Sequence, residues 1–216
     1  MLSDGFFVEW QKDLNYKKLL GNYLVPSKFV TDKDVICVDV GSARGYFPMT
    51  YGSVFDKFYC FEPCYPNFVQ LLSNIIDRDL VHKVSAFNLA GVGKDMSRSM
   101  LPFEFNTTLS PYGSSLADLS SYDGRKNKSK HMVLGLSFND ILEFIGHDYV
   151  NYLKCDIEGF EYDLLYDQNL KNVGVIGIEI HSTILGNKKN VLIDYIKSQG
   201  FSLNGKPRNK TNTEYM

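Results

Sequence analysis

Long apolar runs are missing from this sequence. The longest, such as Val35 to Val38 and the mostly apolar Val175 to Ile180, fall far short of the roughly 18 to 20 residues that a membrane-spanning helix needs, so no membrane partner is expected. An excess of one charge is missing too. Lys and Arg number 23 against 25 Asp and Glu, a formal charge of -2, which gives no global positive field to collect nucleic acid or anionic lipid. The first residues, Met1-Leu2-Ser3-Asp4-Gly5, lack the basic and apolar regions of a secretory signal. Without one, the Asn-x-Ser/Thr triplets at Asn106, Asn127 and Asn209 carry no weight. Cysteine is scarce: of Cys37, Cys60, Cys64 and Cys155, three sit inside apolar runs. That pattern reads as buried reduced thiols rather than a disulfide framework and favours a cytoplasmic location. Cys60 and Cys64 have CxxxC spacing with no second pair nearby, a weak zinc signal.

What is present suits one globular domain: 216 residues, 44% hydrophobic and 22% charged, enough to bury a core. Val35-Ile36-Cys37-Val38-Asp39-Val40, ended by Gly41, reads as a strand buried on both faces. Lys57 to Glu62, stopped by Pro63, reads as a second. Behind Pro66, the residues Phe68, Leu71, Leu72, Ile75 and Ile76 recur at helical spacing. Lys83 to Leu89 is a third strand, and Ser137-Phe138-Asn139-Asp140 opens a helix that Gly146 ends. Tyr152 to Asp156 and Val175 to Ile180 are two more strands, with helical stretches at 162–166 and 191–197. Alternating strands and helices with little room for hairpins give an α/β class: a doubly wound, mainly parallel sheet with helices on both faces.

Two stretches depart from that rhythm. Residues 1–34 carry Phe6, Phe7, Trp10, Leu19, Leu20 and Tyr23, a helical segment capping the sheet or a cleft ahead of the main domain at 35–216. Residues 94–134 form a long polar insert ending in the basic run 125–130. A loop of that length reads as a lid or a partly disordered segment, and its basic end as a solvated face.

In an open α/β sheet, ligands bind outside the carboxyl ends of the strands. The first strand ends in Asp39-Val40-Gly41-Ser42-Ala43-Arg44-Gly45, where two glycines allow a tight turn. The second ends in Glu62, about 20 residues on, where a carboxylate accepts both hydroxyls of a ribose. The loop lacks the second glycine of a dinucleotide fingerprint, and Asp39 suits the cationic amino-acid end of S-adenosylmethionine better than a pyrophosphate. Asp156, Glu158, Gly159 and Glu161 follow the fourth strand, and Glu179 and His181 close the fifth. His181, Asp156 or Glu158 would take a proton from an acceptor hydroxyl; alternatively Asp156, Glu179 and His181 would hold a divalent metal that acidifies it. Each also has a bland reading: Asp156 as a helix cap, Glu158 and Glu161 as first-turn acids on the helix dipole, Glu179 pointing away, His181 a structural histidine.

The runs from Val35 to Phe47, Phe61-Glu62-Pro63, Leu153-Lys154-Cys155-Asp156-Ile157-Glu158-Gly159-Phe160-Glu161 and Ile178-Glu179-Ile180-His181 resemble the FkbM-type family of S-adenosylmethionine-dependent methyltransferases. The most specific piece is the Lys-x-Asp-x-Glu-Gly-x-Glu box at 154–161. The resemblance implies a seven-strand, Rossmann-like class I methyltransferase fold. It implies a cofactor site in which Asp39, Gly41, Ser42 and Gly45 line the methionine end, Glu62 takes the ribose, and Asn88 and Ala90 lie near adenine. Ser114 and Ser115 match a serine-containing segment of the family and would contact substrate with Glu161, while Asp156, Glu158 and His181 face the acceptor. Family members often carry Ala-Asn where this chain has Ser42-Ala43-Arg44.

The activity so implied is O-methylation of a hydroxyl on a sugar or glycan, such as a deoxysugar like rhamnose, yielding S-adenosylhomocysteine. Aromatic faces in residues 1–34 and at Tyr112 and Tyr122 suit a sugar ring. The competing readings are ribose 2′-O-methylation of nucleic acid, against which the net charge argues, a nucleotide-dependent oxidoreductase, and a non-enzymatic docking module. Residues 212–216 read as the start of a last strand, compatible with membership of a larger glycan-processing polypeptide.

Overall fold

The computed structural model describes residues 25, 26, 29, 31, 33–106, 128–202 and 213–215. At its centre, the five residues of β1 (Ile36–Val40) are all buried, as a run that is apolar except for Asp39 requires when both faces of a strand are covered. The chain continues through α1 (Tyr46–Tyr51), β2 (Lys57–Phe61), α2 (Tyr65–Asp77), β3 (Val84–Phe87), β4 (Leu89–Gly91), β5 (Met100–Asn106) and β6 (Lys128–Leu136). It ends with α3 (Phe138–Ile145), β7 (Val150–Cys155), α4 (Glu161–Leu165), β8 (Val173–His181), α5 (Ser182–Leu185), α6 (Lys188–Ser198) and β9 (Thr213–Tyr215). The main sheet has the order β3-β2-β1-β7-β8-β9. Its first five strands are parallel and β9 joins antiparallel to β8, as residues 212–216 suggest. Six strands, rather than seven, form this sheet among the described residues.

Helices cover both faces. On one, Cys37, Phe58, Cys60, Val84 and Tyr152 pack with Phe47 of α1 and Leu71 and Ile75 of α2. On the other, Val38, Val40, Phe61, Leu153, Cys155 and Ile178 meet Phe138, Ile141 and Leu142 of α3, Leu164 and Leu165 of α4, and Leu192 and Ile196 of α6. The apolar face of α2 is only half used, since Leu72 and Ile76 are exposed. All four cysteines are free and buried. Cys60 and Cys64 belong to different core clusters, and neither joins a metal-holding group among the described residues. Of the described residues in 1–34, Val25 and Phe29 pack on the α1/α2 side; the expected helical segment lies outside the described residues.

The reading of 94–134 as a single polar loop is corrected at both ends. β5 and β6 form an antiparallel ladder from Met100↔Leu134 to Asn106↔Lys128, and β4 joins it parallel to β6, giving a second sheet of order β4-β6-β5. Phe103 and Val133 point into a small core with Cys64, Ala90 and Val92, while Met100 and Met132 are exposed. That alternation is a strand signal, masked by Pro102, which the edge strand β5 tolerates. The third strand is likewise shorter than expected. It stops at Asn88, whose amide donates to Glu62 O (2.8 Å) and Pro63 O (3.0 Å), and the chain then crosses into the second sheet.

The expected cap of α3 is present. Ser137 Oγ accepts from Asp140 N (3.3 Å) and donates to Asp140 Oδ2 (2.6 Å), and Gly146 closes the helix at φ 70°. The hydroxyls of Ser137 and Ser97, with Arg98 beyond them, hold the Asp140 carboxyl at about 2. Ser137→Ala should therefore lower unfolding free energy by about 1 to 2 kcal/mol. The expected readout is a lower urea midpoint at unchanged slope; an unchanged midpoint would show that the cap contributes nothing.

Candidate functional site

The carboxyl edge of the parallel strands gathers the polar residues. In register, Cys60, Asp39, Lys154 and Gly177 form one row across β2, β1, β7 and β8. Lys154 and Asp39 are both buried. Lys154 Nζ donates to Gly41 O at 2.5 Å, lies 3.1 Å from Asp39 Oδ1 and 3.9 Å from Asp156 Oδ2. Burial works against the ammonium, but Asp39 and Asp156 outweigh it and hold the group above its ordinary range. Asp39 thus already faces a cation of the chain's own. The sequence alone gives Lys154 no role, although a strand's two-residue period puts it on the same face as Asp156.

The loop after β1 curls over the end of β2. The amides of Gly41 and Ser42 both donate to Phe61 O (2.9 and 3.1 Å), that of Gly45 to Ser42 O (2.8 Å), and Ser42 Oγ to Asp39 O (2.8 Å). Gly41 and Gly45 both sit at φ 81°, a left-handed conformation that side chains resist. A Cβ on Gly41 would fall 1.7 Å from Asp156 O. Only glycine lets the loop touch the strand end that carries Asp156.

Glu62 is buried at this loop. Its Oε2 accepts from Ala43 N (2.7 Å) and its Oε1 from Cys64 N (2.8 Å). Burial pushes the carboxyl up to about 7 against those two amides. Asn88 braces the same turn from β3, and Ala90 is buried in the second sheet's core.

At the ends of β7 and β8 lies the second group. Glu158 occupies a left-handed conformation at φ 53°, followed by Gly159 at φ 103°. Glu161 is fully buried. Its Oε1 accepts from Gly159 N (3.0 Å) and Ile157 N (3.3 Å) and meets His181 Nδ1 at 2.8 Å. The other ring nitrogen, His181 Nε2, lies 3.3 Å from Glu158 Oε2. Burial disfavours an imidazolium, yet Glu158 and Glu161 raise His181 to about 11. Burial lifts the Asp156 carboxyl above its usual range against the pull of Lys154.

Three expectations change. His181, clamped between two carboxylates, holds a proton at neutral pH, so in this state it donates rather than acts as the base. Glu161 is sealed behind His181 and anchors that ring instead of meeting an acceptor. The third partner of Asp156 and His181 is Glu158, not Glu179: one ligand atom from each of Asp156, Glu158 and His181 lies within 4.8 Å of the others. Ser114 and Ser115 fall outside the described residues. Asp39, Gly41, Ser42, Gly45, Glu62 and Asn88 do come together at one end, with Asp156 beside them.

The match to a family model, the methyltransferase FkbM domain, runs over residues 39–203, from Asp39 through Glu62 and the 154–161 box to beyond His181. The chain belongs to the FkbM methyltransferase family. A solved structure of the methyltransferase FkbM from Methylobacillus flagellatus KT is similar over 80% of this chain, at 16% identity and a TM-score of 0.46. This FkbM-family chain spans 39% of that protein's length. No curated protein matches it. No helix among its described residues is long and apolar enough to cross a membrane.

Within this FkbM-family site, Lys154 is the group whose loss is most readily measured. Lys154→Met leaves Asp39 buried without its cation and should cost about 3 to 5 kcal/mol in unfolding free energy. The double variant Asp39→Asn/Lys154→Met should cost less than the sum of the singles. Additive losses in a double-mutant cycle would show that the pair is not coupled.

Proposed function

We propose that this chain is an S-adenosylmethionine-dependent O-methyltransferase acting on a hydroxyl of a saccharide, free or within a glycan, a deoxysugar such as rhamnose being one candidate. The observation that carries the reading is the meeting of two groups at one sheet edge. A buried carboxylate, Glu62, is pinned under the loop after β1, and Asp156, which touches that loop through Gly41, belongs to the group with Glu158 and His181.

The residues present fit the cofactor. The Glu62 oxygens accept from the amides of Ala43 and Cys64, and a carboxylate's four lone-pair sites leave room for a ribose hydroxyl. Asp39, a buried carboxylate at the start of the same loop, is the acidic group that the cationic methionine end would meet. When bound, the cofactor supplies an electrophilic methyl group. The chain must then orient the acceptor hydroxyl and remove its proton as the methyl moves. Asp156 and Glu158, partly exposed carboxylates, would accept that proton, and with no ion bound His181 is protonated between Glu158 and Glu161.

Calorimetric titration with S-adenosylhomocysteine, and separately with NAD, tests the cofactor class; binding of the former alone is the expected result. Glu62→Ala should weaken that binding by about 1 to 3 kcal/mol, the scale of losing a hydrogen bond to a charged group. Since the Glu62 carboxyl ionises only near pH 7, affinity should rise between pH 6 and pH 8 as the accepting carboxylate forms, and Glu62→Gln should abolish that rise. A pH-independent affinity in the unsubstituted protein would remove Glu62 from the ribose site.

A further inference from the structure

We propose that Asp156, Glu158 and His181 form a binding site for one hard divalent cation of the Mg²⁺/Mn²⁺ class, with Glu161 as the residue that aims His181. Ligand atoms from the three side chains converge within 4.8 Å of one another, close enough to share one ion. They come from two strand ends that parallel pairing of β7 and β8 brings side by side, so convergence does not depend on a single loop. All three are partly exposed, and an ion has a way in.

The orientation of His181 separates this group from an accidental meeting of acids. A metal-bound histidine characteristically gives its other ring nitrogen to a carboxylate, which fixes the tautomer and the ring plane. Here Nδ1 lies 2.8 Å from Glu161 Oε1, and that oxygen is itself held by the amides of Gly159 and Ile157. Glu161 is fully buried, so its role is internal. With Nδ1 committed, Nε2 is directed toward Glu158 Oε2, 3.3 Å away, and an ion taken up there would displace the Nε2 proton to solvent while Nδ1–H stays on Glu161. Two carboxylates with one imidazole favour a hard ion, because oxygen donors suit Mg²⁺ and Mn²⁺ and the set lacks the thiolates a soft ion prefers.

Three protein ligands leave positions of an octahedral ion open. The backbone oxygen of Asp156 abuts the loop glycine Gly41, so the three ligands lie next to the proposed methyl-donor site. On the reading of this edge as a methyltransferase centre, the ion would polarise an acceptor hydroxyl and lower the cost of its deprotonation. An acceptor carrying neighbouring hydroxyls, as a saccharide does, would suit two adjacent open positions.

The test needs neither cofactor nor acceptor. The purified protein, stripped with chelator, is titrated with Mn²⁺ and free ion is followed by electron paramagnetic resonance. The expected result is one saturable site per chain. Asp156→Asn should abolish that site, Glu161→Gln should weaken it about ten- to a hundredfold, and Glu179→Gln should leave it unchanged. Thermal melts and S-adenosylhomocysteine binding, measured on the same samples, show that each variant is folded and keep this outcome separate from the cofactor reading. Absence of saturable binding in the unsubstituted protein, or a site that survives Asp156→Asn in full, would overturn the proposal.

Discussion

One buried ammonium holds the two halves of the site in register. Lys154 lies on β7, between β1 and β8, and a charge there is costly to remove from water unless close partners offset it. It finds them in Asp39, Asp156 and the carbonyl of Gly41. Those contacts do more than neutralise it. By accepting from Lys154, the Gly41 carbonyl fixes the start of the loop that covers Glu62, and the ion pair with Asp156 fixes the start of the turn that leads to Glu158, Gly159 and Glu161. The loop on β1 and the acids after β7 are therefore not independent pieces of surface. The Lys154 side chain and the Asp156 backbone both tie the loop to the end of β7.

Glu62 shows the opposite balance. Its carboxylate is buried, the amides of Ala43 and Cys64 and the Asn67 side chain do not offset desolvation fully, and it ionises only near neutrality. A group kept under such strain is better explained by something it binds than by the fold it sits in. The same holds for the left-handed backbone at Glu158, a conformation side chains adopt at a cost that clusters at functional sites.

Much of this architecture was legible in the sequence because its signals are local. β1 reads as a strand from a β-branched run ended by Gly41, α3 from Ser137 and Asp140 at one end and Gly146 at the other, and Glu62 from its distance to the loop glycine. The β5–β6 ladder was not legible. Its partners are separated by the polar stretch 107–127, and Pro102 disguises a strand that sits on a sheet edge. The reach of His181 was also hidden: Glu161 lies 20 residues before it, and only the pairing of β7 with β8 brings the two together. That pairing turns His181 from a free imidazole into one clamped by acids on both nitrogens. The value of Lys154 was hidden for a related reason, since its two-residue spacing from Asp156 gives a shared face without saying that Asp39 lies opposite on β1.

We propose that this edge transfers a methyl group to a saccharide hydroxyl. The most direct measurement is incubation of the protein with methyl-labelled S-adenosylmethionine and a panel of free sugars and oligosaccharides, with RNA in parallel, followed by alkaline treatment. Label retained on a saccharide through base, as an ether must be, is the predicted result. Label carried by RNA, or lost from the saccharide as a base-labile ester, would contradict it.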